Sequence, residues 1–203
     1  MMKRTFDILV TVMSLVLLSP LLLLIALWIK LDSQGPVFFR QKRIGKGFRP
    51  FLIYKFRTMV ENASEIGGSI TIGMDPRITR IGRWLRKTKI DELPQMINVL
   101  KGEMSLVGPR PEVPRYVEMF RRDYEEILRL RPGITDLASL KYRNESEWLS
   151  QFDHPEREYV THVLPEKIKL AKEYVQRTSM SVDIILILKT VPKLFTCKAN
   201  SNI

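Results

Sequence analysis

Cysteine and histidine are nearly absent. One cysteine, Cys197, and two histidines, His154 and His162, occur in 203 residues. A single thiol excludes an intramolecular disulfide and fits a reducing compartment. No cysteine–histidine spacing matches a zinc site. Neither histidine has a motif around it, so both are expected on the surface. Internal repeats and low-complexity tracts are missing, and the length suits one compact domain plus an appendage. Acidic residues are few against basic ones, 22 against 33, for a formal net charge of +11. The expected partners are therefore anionic: phosphorylated small molecules, nucleic acid or an acidic membrane surface. A cleavable signal peptide fits poorly, because the N-terminal apolar run is too long and no small-residue cleavage site follows it.

That apolar run is the first thing present. Ile8 to Ile29 is 22 residues without a charge. The length would just span a bilayer core of about 30 Å. Ser19-Pro20 lies in the middle, and Pro20 removes a backbone hydrogen bond. Lys3 and Arg4 flank it on one side, Lys30, Arg40, Lys42 and Arg43 on the other. Basic flanks favour the cytoplasmic side. Two readings follow: a helix that bends at Ser19-Pro20 and leaves by the face it entered, or a kinked single-pass helix. Both make the segment a membrane anchor.

Pro36 to Gln41 and Phe51 to Arg57 read as short strands around the basic glycine turn Arg43-Ile44-Gly45-Lys46-Gly47, which predicts a hairpin. Lys55 and Arg57 share one strand face. That face is either solvated or a cationic wall for phosphate. Ala63 to Gly73, with Gly67, Gly68 and Gly73, reads as a mobile loop. A helix is predicted from Asp75-Pro76-Arg77 through Arg86. Arg77, Arg80, Arg83 and Arg86 cover a broad face of it, and Ile78, Ile81 and Leu85 can pack inward. Most of these arginines are expected in solvent or at the membrane surface. Arg86 is the one nearest the next motif.

Lys89-Ile90-Asp91-Glu92-Leu93-Pro94-Gln95 sets two adjacent carboxylates in a basic neighbourhood. Between Arg77 and Arg110 there are eight Lys or Arg and three Asp or Glu. Pro94 belongs in a first helical turn, so the helix through Met96, Val99 and Leu100 should begin near Asp91. A carboxylate there is favoured in its ionised form and can serve as nucleophile or metal ligand. The plain alternative is a helix cap followed by a first-turn charge. Gly102 is a plausible helix terminator. Beyond it, Pro109 and Pro111 flank Arg110, restricting the backbone on both sides. That arrangement would fix a guanidinium for bidentate phosphate recognition, or it is an ordinary turn.

The remainder reads as helices. Val113, Val117, Phe120, Tyr124 and Ile127 recur at spacings of three and four, giving one amphipathic helix ended by Pro132-Gly133. Glu145 to Glu158 reads as an exposed loop or short helix. Pro165 opens a helix to about Gln176. Met180 to Phe195 is too short and charged to span a bilayer, and is either an interfacial helix or a core helix.

Lys55-Phe-Arg-Thr-Met59, Asp91 to Glu112 and Arg131-Pro-Gly-Ile-Thr135, behind the apolar helix with its Ser-Pro break, resemble the bacterial sugar transferases. These are monotopic polyprenyl-phosphate phosphoglycosyl transferases, and the resemblance covers essentially the whole chain. It implies a mostly helical α+β fold: a re-entrant membrane helix over residues 1–32, then a cytoplasmic catalytic domain over 33–203 with a small β-hairpin and interfacial amphipathic helices. With no large membrane domain ahead of it, the chain is expected to be a minimal catalytic unit.

The resemblance also assigns roles. Asp91 would attack the β-phosphate of a UDP-sugar and expel UMP. A polyprenyl phosphate, typically undecaprenyl phosphate, would then take the phosphosugar from the carboxylate. Glu92 would help bind Mg²⁺, with Asp91, and assist deprotonation of the acceptor. Arg110 matches a phosphate clamp, and Lys55 and Arg86 match basic positions around the site. Arg143-Asn144 resembles a pair near the nucleotide site. Asp136 departs from the pattern, since many members have glycine there. The implied setting is the cytoplasmic face of a bacterial inner membrane, in exopolysaccharide or lipopolysaccharide assembly. A homodimer is compatible with it.

Phosphoryl transfer is catalysed mainly by positioning, cations and Mg²⁺, which suits a basic chain holding an acidic pair. A membrane-tethered binding protein for anionic lipid or nucleic acid would account for charge and anchor, but gives no reason for Asp91-Glu92 or the proline-flanked Arg110. RNA-type aromatic motifs are missing, which points away from nucleic acid. A metal-dependent phosphohydrolase would use the same groups with water as acceptor.

Overall fold

The computed structural model describes residues 2–66 and 75–195. The Gly67, Gly68 and Gly73 stretch and Cys197 lie outside them. Helix α1, Met2–Asp32, runs through Pro20 without interruption. Pro20 has no N–H to give to the Val16 carbonyl. The Ser19 hydroxyl donates to that oxygen instead, at 2.8 Å, so the Ser-Pro pair repairs the bond it breaks. At about 1.5 Å per residue the helix is roughly 46 Å long. Both its ends lie against the folded body. Asp7 and Thr11 are buried near the start, Ile25 and Ile29 near the end. Between them Val12, Met13, Val16, Leu17, Leu21, Leu23 and Leu24 are exposed.

Strands β1, Phe38–Ile44, and β2, Pro50–Phe56, form the expected hairpin, with Phe39 opposite Lys55 and Arg43 opposite Phe51. Phe51 and Ile53 are buried against Val99 and Met104. A four-residue helix α2, Ala63–Ile66, follows. Helix α3 is Arg80–Thr88, which starts later than the sequence reading placed it. Asp75 is the cause: its carboxylate binds the Arg77 guanidinium and the Arg77 backbone N–H, closing a turn there. Thr79 then caps α3 by accepting from the Gly82 N–H at 3.0 Å. Ile81 and Leu85 pack with Ile25, Ile29 and Phe56.

Residues Ile90–Gln95 form a 3₁₀ turn before α4, Met96–Lys101. The helical path does begin near Asp91, but as the tighter helix. Gly102 ends α4 in the left-handed region, as anticipated. Strand β3, Ser105–Val107, pairs in parallel with β4, Gly133–Thr135. Gly108 and Gly133 touch backbone to backbone: a Cβ on Gly133 would lie 2.0 Å from the Gly108 nitrogen. Only glycine permits that approach, and it brings the Arg110 loop against the Pro132-Gly133 segment.

The single amphipathic helix expected over Val113 to Ile127 is two helices, α5, Pro114–Met119, and α6, Arg121–Ile127. Phe120, at φ −116° and ψ 35°, turns the chain between them. Helix α7, Leu137–Lys141, follows β4. The region read as an exposed loop or short helix holds two short helices, α8, Glu145–Leu149, and α9, Pro155–Glu158, and Leu149 is buried. A π-helical turn at Tyr159–Val163 leads into α10, Leu164–Arg177. Pro165, in the first turn of α10, has no N–H to return to Thr161, which favours the wider register there. Tyr116, Val117, Tyr124, Ile127, Leu149, Tyr159, Val163, Leu164 and Ile168 make the largest apolar cluster. Helix α11, Met180–Phe195, buries Asp183 and Leu186 and exposes Ile184, Ile185, Leu188 and Val191. It is therefore half embedded, with an uncovered apolar face. Both histidines are exposed.

Candidate active site

The site lies where the hairpin, the 3₁₀ turn and the loop after β3 meet. The hairpin brings Lys55, whose Nζ donates to Glu92 Oε1 at 2.7 Å. The loop brings Arg110, whose two terminal nitrogens donate to the two Glu92 oxygens at 3.1 and 2.5 Å. This is a bidentate fork on a carboxylate. Burial opposes the Glu92 charge, but Arg110 and Lys55 outweigh it and hold the carboxyl well below its ordinary range. The Glu92 charge in turn raises Arg110. Burial lowers the Lys55 ammonium, against the pull of Glu92.

Asp91 is treated differently by its surroundings. It is 7% exposed. Its Oδ1 is buried with no hydrogen-bond partner among the described residues. Burial raises its carboxyl, and the neighbouring Glu92 charge adds to the rise, while Lys55, Lys89 and Arg86 oppose it. Arg86 reaches toward this side of the site, its Nε donating to the Thr58 hydroxyl at 2.8 Å. Burial lowers the Arg86 guanidinium, and the Asp91 charge works the other way.

The Arg110 loop is fastened on every side. The Asp136 carboxylate accepts the Arg110 backbone N–H at 3.0 Å, and also caps α7 through the Ser139 N–H at 2.7 Å. The Gly133 N–H donates to the Pro109 carbonyl at 3.0 Å. Arg43 donates to the Pro111 carbonyl at 3.1 Å. Glu112, buried, accepts from the Tyr159 hydroxyl at 2.7 Å. The prolines stiffen the loop, and these four contacts place it.

Of the residues singled out in sequence, Lys55, Arg86, Asp91, Glu92 and Arg110 come together. Arg57 does not join them. Its guanidinium turns to the end of α1 and donates to the Ile29 and Ser33 carbonyls at 3.3 and 2.7 Å. It is a buried clasp between hairpin and α1, one residue past the end of β2, where the end of α1 offers it carbonyl acceptors. Arg143 is partly buried and makes no ion pair with the dyad among the described residues. Arg43, Glu112, Tyr159 and Thr58 were missed as site residues, and Asp136 was noted only as a departure from the family pattern. Asp136 had a usable signal, an Asp immediately before the apolar run Leu137-Ala138. A buried Glu112–Tyr159 contact spans 47 positions and leaves no local trace.

The donor set fits a magnesium ion that arrives with a phosphate. Mg²⁺ is commonly held by one or two carboxylates together with substrate oxygens. Asp91 offers a buried oxygen with no partner, and Glu92 stands beside it. No cluster of three or more acidic, cysteine or histidine ligands occurs among the described residues, so a stand-alone metal cage does not.

An ionised fork, a carboxylate oxygen with no partner among the described residues and converging cations stand on a body that carries a long apolar helix. The bacterial sugar transferase family matches residues 1–197, and this chain belongs to that family. It is 40% identical over 201 residues to the UDP-N-acetylgalactosamine-undecaprenyl-phosphate N-acetylgalactosaminephosphotransferase of Aeromonas hydrophila, covering 96% of this chain and 44% of the relative. It is 41% identical over 198 residues to the undecaprenyl-phosphate glucose phosphotransferase of Komagataeibacter xylinus, covering 94% and 35%. It is 35% identical to the Exopolysaccharide production protein ExoY of Sinorhizobium fredii, covering 94% and 84%. The chain thus spans less than half the length of the first two relatives.

Proposed function

We propose that this chain transfers a phosphosugar from a UDP-sugar to a polyprenyl phosphate, through a phosphosugar bonded to Asp91. The observation that carries this reading is the contrast inside the dyad. Glu92 is held by Lys55 and Arg110, while Asp91 has a buried oxygen free to form a new bond. In the first step an Asp91 oxygen bonds to the β-phosphorus and the bond to UMP breaks, the UMP oxygen keeping the electron pair. In the second the acceptor phosphate oxygen bonds to the same phosphorus and Asp91 leaves as a carboxylate. Arg110 and Lys55 are poised to stabilise negative charge on the transferring group, and Arg86 sits where it can do so from the Asp91 side. Asp91 and Glu92 would hold Mg²⁺, which supplies charge neutralisation at the phosphate oxygens.

The membrane arrangement belongs to the same proposal. Both ends of α1 pack on one body while its middle is exposed and apolar, which suits a helix that enters and leaves by the same face. Lys3, Arg4 and Lys30 at its ends support reading that face as the cytoplasmic one of a bacterial inner membrane. The uncovered Ile184, Ile185, Leu188 and Val191 of α11 then lie in the interface. Arg143 is assigned to the nucleotide side by its resemblance alone.

The test uses the purified chain in detergent with Mg²⁺, undecaprenyl phosphate and a panel of UDP-sugars, following UMP release. Release that needs the lipid and follows one donor names the sugar. Release of sugar phosphate without lipid would replace this reading with a hydrolase, and silence with every donor would end it.

A further inference from the structure

Strand β3 has two edges. One is paired with β4. The other meets no strand among the described residues, and side chains from the first turns of α1 occupy it. Asp7, 3% exposed, accepts from the Leu106 N–H at 3.3 Å and from the Ser105 hydroxyl at 2.8 Å. Lys3 donates to the Val107 carbonyl at 3.1 Å. The Tyr174 hydroxyl is 3.3 Å from the same carbonyl and 2.5 Å from Asp183, which also binds Lys3. An acceptor and a donor from α1 thus stand in for a neighbouring strand.

A two-stranded sheet does not hold its shape without further support. Backbone groups on a buried edge need partners. Asp7 and Lys3 supply them for a strand of three residues that ends at Val107, three residues before Arg110. A charge at the head of an apolar helix is poorly placed for lipid, and burial against β3 is what Asp7 has instead.

We infer that Asp7 and Lys3 are positioning residues for Arg110: the head of the membrane helix holds β3 where its outgoing loop delivers the guanidinium to Glu92 and to the substrate phosphate. This rests on the phosphosugar-transfer reading. The anchor is then part of the catalytic scaffold, and its first turns do more than tether.

The experiment uses the full chain in nanodiscs, with Asp7→Ala, Asp7→Asn and Lys3→Met. Asp7→Ala remains in the membrane fraction and lowers kcat/KM for UMP release by about 10- to 100-fold, the scale of a small displacement of a clamp. Asp7→Asn recovers part of the loss, because its amide oxygen still accepts. In an Arg110→Lys background Asp7→Ala costs less than about threefold more, since a shared route to the phosphate makes the two effects non-additive. Hydrogen exchange of the amides at 105–112 is faster in Asp7→Ala and Lys3→Met than in the parent, whatever the activity. Parent-like exchange with parent-like kcat/KM overturns the inference, and so does an equal Asp7→Ala loss in both backgrounds. If Asp7→Ala fails to fold, exchange in Asp7→Asn decides in the same way. If the parent releases no UMP with any donor, the transfer reading falls, while exchange still decides whether α1 holds this loop.

Discussion

The Asp91 side of the site and the Glu92 side are built from adjacent residues and opposite principles. Glu92 faces the hairpin and the Arg110 loop, and both its oxygens receive cationic donors. Asp91 is buried near the Arg86 charge, and its Oδ1 has no hydrogen-bond partner among the described residues. Burial weighs on both carboxyls, and only for Glu92 do the cations overcome it. A carboxylate enclosed by cations is stable and a poor nucleophile. A carboxylate deprived of partners is costly and reactive. The 3₁₀ turn puts the two within one peptide of each other, so one side can orient phosphate while the other attacks it.

The largest expected effect comes from removing the reactive side. Asp91→Asn keeps the shape and loses the nucleophile, so UMP release should fall by at least about 1,000-fold. Its thermal midpoint at neutral pH should not fall, because a neutral amide removes a charge that burial penalises. Activity in Asp91→Asn at parent level would erase the distinction between the two sides. The same reasoning sets the acid limb of the rate. Asp91 must be ionised to attack, and its carboxyl is raised by burial and by Glu92. The rate should therefore drop at a pH above the ordinary aspartate value of about 3.9. A limb at or below that value would show that the raised group is not the nucleophile. Next in size is Arg110→Lys, which replaces a fork by a point charge. It should lower kcat/KM for the UDP-sugar by about 100-fold while the chain stays folded.

Removing the stable side should be read in stability first. Glu92→Gln leaves Arg110 and Lys55 facing an amide. The Arg110 side chain keeps 31% exposure, so solvent screens part of the loss. A destabilisation of about 2 kcal/mol is expected by denaturant unfolding at pH 7. The sign with pH follows from the lowered carboxyl. Its contribution is present above the unfolded value of about 4.3 and is lost as pH falls through the folded value. Parent and Glu92→Gln should therefore converge in acid. Asp91 works in the other direction: its raised carboxyl favours the folded chain below the unfolded value, and that contribution is lost as pH rises through the folded value.

How much of this was legible depended on how local each cause is. Pro94 after Asp91-Glu92 marks a helical start within a few residues, and Pro109 and Pro111 stiffen Arg110 directly. Those features could be read from the sequence, as could the hairpin from its basic glycine turn. Strand alternation puts Lys55 and Arg57 on one face, but cannot say that α1 will come to lie beside Arg57 and take it. Periodicity from Val113 to Ile127 is equally satisfied by one helix or by two bent at Phe120. The start of α3 was misplaced because Asp75 can cap a helix or bind Arg77, and side-chain geometry decides. Lys3 read as the basic flank of an anchor, and Asp7 was not singled out. Their role against β3 depends on contacts across about a hundred positions.

The smallest expected effect tests how much the Glu92 side depends on backbone placement. Asp136 accepts the Arg110 N–H through one oxygen and caps α7 through the other. Its backbone is extended, at φ −157° and ψ −179°, so no glycine is needed there. Asp136→Gly removes both contacts, and Asp136→Asn keeps one acceptor. Loss of the cap should be modest for Gly, a few tenths of a kcal/mol. Release of the Arg110 backbone should add a drop of about three- to tenfold in kcat/KM, with Asp136→Asn between Gly and parent. If Asp136→Gly keeps full kcat/KM, the prolines, Gly133 and Arg43 suffice to hold Arg110. Precision on the Glu92 side would then come from the stiffness of the loop itself, and the carboxylate at 136 would serve α7 alone.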